Sequence, residues 1–98
     1  MSIELFKQEA PEVLEAYFNM IKTLENRCPL EPKVKELVLI AILTAKQSSE
    51  GLPLHIKRAK ENGATESEIL TVMISALPAC GMGSVTQALN IYNKTLES

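Results

Sequence analysis

Seven consecutive apolar residues, Leu37 to Leu43, constrain this chain more than any other feature, and an acid, Glu36, stands directly before them. Pro32 suits the first position of a helix, and the apolar pattern continues from Val34 to Ala45. Val34, Leu37, Val38, Ala41 and Ala45 share one helical stripe, while Leu39, Ile40 and Leu43 cover other faces. A helix apolar on nearly every side has to be surrounded by protein. A chain of 98 residues has little else to cover it with, so a homo-oligomer is expected.

The remaining segments also read as helices. Glu9 to Arg27 carries Val13, Leu14, Phe18, Ile21 and Leu24 on one stripe with Tyr17 at its edge. Ile3, Leu5 and Phe6 precede it as a short helical lead-in, and Pro29 ends it. After the polar break Lys46 to Gly51, Pro53 opens a third helix that places Leu52, His55, Ile56, Ala59 and Gly63 on one face and stops at Asn62-Gly63. Thr65-x-x-Glu68 has capping-box spacing and starts a fourth helix, through Ile69, Leu70, Val72, Met73, Ala76 and Leu77. Pro78 ends or kinks it, and Gly81-Met82-Gly83 makes a turn or a tight helix contact. Ser84 to Leu96 forms the last helix, with Val85, Ala88, Leu89, Tyr92 and Leu96 inward. Met73 and Met82 read as core filler, and Ser48 and Ser49 as capping residues. No segment alternates with period two, so the expectation is an all-α single domain over residues 1–98 with about five helices.

Composition removes several function classes. Aromatic residues are 4% of the chain, so the core has to be aliphatic. A net charge of −2 without a basic patch argues against nucleic-acid binding, which depends on displacing phosphate counterions. No apolar run is long enough to span a membrane, and the start of the chain lacks the features of a signal peptide. A cytoplasmic location is therefore expected. Cys28 and Cys80 stand far apart and fit no C-x-x-C pattern, so they read as free thiols.

Two residues carry the chemistry that the sequence offers. Glu36 shares a helix face with Ile40 and Leu43. Its carboxylate is either desolvated there or solvated near the positive end of its helix. His55, the single histidine, is either a general acid or base or a satisfied core residue. With no further ligands at suitable spacing, no metal and no other cofactor is expected.

Glu36-Leu37, the apolar run, and His55-x3-Ala59-x3-Gly63-Ala64-Thr65-x-x-Glu68-Ile69 together resemble the carboxymuconolactone decarboxylase family, which includes the AhpD-like alkylhydroperoxidases. The resemblance implies an all-α fold assembled as a trimer or hexamer, with Glu36 and His55 as the catalytic positions. It further implies a decarboxylase-like lyase acting on a small organic acid or lactone. The C-x-x-C positions of the AhpD-like branch fall on Ser48 and Gly51, which form no thiolate, so dithiol peroxidase activity is not expected. The acid that the decarboxylase branch carries four residues before its histidine is Gly51 here, with Glu50 one place earlier. The alternative is a non-enzymatic member, structural or binding a small molecule, in which Glu36 and His55 form a buried hydrogen-bonded pair.

Overall fold

Proline and local turn chemistry divide the chain into six helices in a computed structural model, which describes residues 3–97. They are α1 (Ile3–Glu9), α2 (Pro11–Arg27), α3 (Pro32–Lys46), α4 (Gly51–Glu61), α5 (Glu66–Ser75) and α6 (Leu77–Glu97), and no strand occurs among the described residues. The all-α class matches the sequence reading. The additional helix arises because Pro11 disfavours right-handed helical dihedrals at the residue before it. Ala10 accordingly sits at φ −146°, ψ 63°, and Glu9 closes α1 instead of opening α2.

Helices α3 to α6 pack around one core. Ile40 of α3, Leu52 and Ile56 of α4, Ile69 and Met73 of α5 and Tyr92 of α6 are its largest buried apolar side chains. The stripe expected on α4 is the one that points inward, since Leu52, Ile56 and Ala59 are its buried residues. Gly63, at φ 91°, turns the chain after α4, and the Ala64 amide donates back to the Ala59 carbonyl at 2.9 Å. Left-handed dihedrals carry little penalty for glycine.

The capping box at α5 is formed in full. The Glu68 amide donates to Thr65 Oγ1 at 3.0 Å, and the Thr65 amide donates to Glu68 Oε1 at 2.9 Å. Lys33 Nζ reaches Glu68 Oε2 at 3.1 Å, which ties the start of α5 to the start of α3. These contacts hold the Glu68 carboxyl below its ordinary range, the Thr65 amide first and the Lys33 hydrogen bond second.

Three details differ from the sequence reading. Pro78 sits in the first turn of α6, where its missing N–H is harmless, and α5 has already ended at Ser75. The turn expected at Gly81-Met82-Gly83 is present as a break inside α6 at Gly81, with φ 86° and ψ 167°. Met82, next to that break, is exposed and fills no core, and Leu96 is exposed as the helix runs past the bundle.

The largest difference concerns the N-terminal arm, α1 and α2. Neither helix contributes a buried residue; they pack on each other, and α2 meets α3 through a long Lys35 Nζ–Glu25 Oε1 ion pair at 4.0 Å. The apolar stripe of α2 is therefore present but not part of the core. Likewise Val34, Val38 and Ile42 of α3 are exposed in the single chain, so α3 is not enclosed by its own fold. No helix of the described residues is long and apolar enough to cross a membrane.

Candidate functional site

Helix α3 buries Glu36, Ile40 and Thr44, spaced four apart on one face. The Thr44 hydroxyl is satisfied internally by donating to the Ile40 carbonyl at 2.8 Å. Glu36 has no such local solution. Its side chain is 5% exposed, and a carboxylate so far from water needs a donor brought to it by another element.

That donor is His55 of α4. Its Nδ1 lies 2.6 Å from Glu36 Oε2, across a separation of 19 residues. An ionised carboxylate only accepts hydrogen bonds, so Nδ1 carries the hydrogen and donates. The neutral ring then keeps its lone pair at Nε2, on the edge turned away from Glu36. His55 is 18% exposed, and it occupies the rim of the α3–α4 contact, not its centre.

The register that joins the pair is set at the α3–α4 turn. Gln47 ends α3 in the left-handed region, at φ 56° and ψ 43°, and its Nε2 donates to Ser84 Oγ of α6 at 3.0 Å. Ser48 Oγ then accepts the Gly51 amide, the first of α4, at 3.0 Å. A Cβ on Gly51 would lie 2.8 Å from Ser48 Oγ and 3.0 Å from Leu43 Cδ2. Any larger residue would require the Ser48 hydroxyl and the Leu43 methyls to shift. His55 stands one turn further along α4, so this close approach is part of what delivers the ring to Glu36.

Both residues singled out in the sequence thus meet in space. The residues that position them, Gln47 and Gly51, were not legible. Gln47 carries no glycine signature for its left-handed turn, and Gly51 reads from sequence as part of a polar break and as a place where the family's cysteine or acid is missing, not as a packing position. Glu50 is exposed at the N-cap of α4, one place before Gly51. Cys28 and Cys80 are free and half-buried, Cys28 at the end of α2 and Cys80 at the Gly81 break of α6.

A model of the carboxymuconolactone decarboxylase family matches residues 11–94. An uncharacterized protein of Methanocaldococcus jannaschii, MJ1511, is 31% identical over 88 residues, covering 90% of this chain and 82% of the relative. Nitrosuccinic acid decarboxylase npaB of Metarhizium robertsii is 30% identical over 74 residues, covering 76% of this chain and 52% of the relative.

Proposed function

This chain belongs to the carboxymuconolactone decarboxylase family, and from that premise we propose that Glu36 and His55 form a proton-transfer site acting on a small organic acid or lactone. The observation that carries the proposal is the 2.6 Å contact between a buried carboxylate and the rim imidazole. Glu36 orients the ring through Nδ1 and balances positive charge when the ring is protonated. Nε2 is then the atom that exchanges protons with substrate.

Decarboxylation breaks a carbon–carbon bond and leaves its electron pair on the substrate carbon as CO2 departs. The ring in its doubly protonated form delivers the Nε2 proton to that carbon and is reprotonated from solvent. One proton is consumed per turnover, and no redox partner is needed.

The experiment is a panel of small dicarboxylic acids and carboxylated lactones, with nitrosuccinate among them. It is read by CO2 release and proton uptake. Turnover that falls at least about 100-fold in His55→Gln, with the fold intact, supports the proposal, because general acid–base groups contribute that much or more. Turnover unchanged in His55→Gln removes it.

A second reading rests on how little of the pair meets solvent, 5% of Glu36 and 18% of His55. In it the two residues are a structural hydrogen bond, and no member of the panel turns over. Ring 15N shifts separate the readings further. A working site shows the Nε2 signal perturbed by an added acid, whereas a sealed pair leaves it unchanged.

A further inference from the structure

Gly51, His55 and Arg58 stand at offsets of four and seven along α4, so they share one row of that helix. The row runs along α3. A Cβ at Gly51 would touch Leu43, and His55 Nδ1 touches Glu36, so the two helices run in opposite directions at this contact. Arg58, the next position in the row, therefore falls beyond Glu36, toward the end of α3 that begins at Pro32. Its offset from His55 is three, which places the two Cβ atoms about 5–6 Å apart.

Arg58 is exposed, and its guanidinium makes no ion pair or hydrogen bond among the described residues. Its backbone carbonyl, not its side chain, accepts from Asn62 Nδ2 at 2.8 Å. The cations on the adjoining part of α3 are engaged elsewhere. Lys33 Nζ reaches Glu68 Oε2 at 3.1 Å, and Lys35 Nζ turns to Glu25 Oε1 at 4.0 Å. The row that carries His55 thus ends in an uncommitted cation.

The Glu36–His55 pair itself gives an acidic substrate nothing to hold. Ionised Glu36 beside a protonated ring sums to no net charge, and beside a neutral ring it leaves a negative charge that repels a carboxylate. An acidic substrate needs a separate cation. A guanidinium meets a carboxylate through parallel N–H···O bonds, so it fixes orientation as well as position. Leu54 is exposed, directly precedes His55 and stands four residues before Arg58. It offers the carbon chain between the two polar groups an apolar contact.

On the proton-transfer reading of Glu36 and His55, we propose that Arg58 holds a substrate carboxylate that the reaction does not remove. The substrate class is then a dicarboxylic acid, with one carboxylate paired to Arg58 and the other lost beside His55 Nε2. Three residues of helix rise about 4.5 Å, so a short carbon chain spans the two groups.

The test uses the full chain, succinate as the probe, and the 15N shift of His55 Nε2. Succinate is expected to move that signal saturably in the parent. Its affinity is expected to fall about 10-fold in Arg58→Gln, through loss of the charge-assisted pair. Lys57→Gln removes the same charge from another face of α4 and is expected to change the affinity less than about 2-fold, as for a screened surface charge. Propionate, which lacks the second carboxylate, is expected to bind more weakly than succinate. For any dicarboxylic acid that turns over, Arg58→Gln is expected to raise KM with kcat little changed, whereas His55→Gln lowers kcat. Both Arg58 and Lys57 are exposed, so circular dichroism should be that of the parent in either variant. An unmoved ring signal in the parent, equal losses in Arg58→Gln and Lys57→Gln, or propionate bound as tightly as succinate overturns the proposal. Succinate bound through Arg58 with no acid turned over removes proton transfer and leaves the carboxylate site. Turnover that needs His55 and is indifferent to Arg58 removes the carboxylate site alone.

Discussion

Deleting the His55 ring and neutralising the Glu36 carboxylate act on the same hydrogen bond, yet the two changes should differ in stability by severalfold. His55→Ala leaves a carboxylate at 5% exposure with no replacement donor. Stranding one partner of a buried charged pair costs about 3–5 kcal/mol. Glu36→Gln keeps an acceptor oxygen of nearly the same shape opposite Nδ1. It exchanges a charge-assisted hydrogen bond for a neutral one, which is a loss of about 1 kcal/mol. The 18% exposure of the ring limits that loss further, because water reaches its edge. Replacing both members by apolar groups, Glu36→Leu with His55→Phe, removes the stranded charge and the bond together. That double variant should lie closer to the parent than His55→Ala does. Urea unfolding at one fixed protomer concentration, with linear extrapolation, measures all four proteins. If His55→Ala and Glu36→Gln cost the same, or if His55→Ala costs less than about 1 kcal/mol, the carboxylate is not desolvated as its burial implies.

Three further outcomes follow from individual contacts. The Glu68 carboxyl is held below its ordinary range in the folded state, first by the Thr65 amide and then by Lys33, so its contribution is present above the unfolded pKa of about 4.3 and is lost as pH falls through the lower folded value. Acid titration of the midpoint urea concentration should therefore be shallower in Glu68→Gln than in the parent, and identical slopes would refute the assignment. The Tyr92 hydroxyl is buried with no hydrogen-bond partner among the described residues, so Tyr92→Phe should be neutral or stabilising by up to about 1 kcal/mol in thermal unfolding, and a clear loss would reveal a hidden partner. Gly63→Ala should destabilise by about 1–2 kcal/mol, because φ 91° is strained for any residue with a Cβ although the site is open, and an unchanged melting temperature would contradict that backbone.

What the sequence determined by itself is local. Helix periodicity, the prolines and the Thr65–Glu68 box each act within a few residues, so the helical class and the start of α5 were readable without a fold. Glu36 and His55 were readable as candidates for a related reason: each is a polar group placed on an apolar face, a local contradiction that only a partner resolves. Their meeting at 2.6 Å was decided by tertiary structure, through the left-handed Gln47 turn and the close approach at Gly51, neither of which leaves a periodic trace. The same limit explains α2. An apolar stripe records that a face must be covered, but the pattern is the same whether the cover is the chain's own core or another surface. The extended residues before Pro29 and Pro32 direct α2 away from the bundle, and only that geometry separates the core of this protein from its arm.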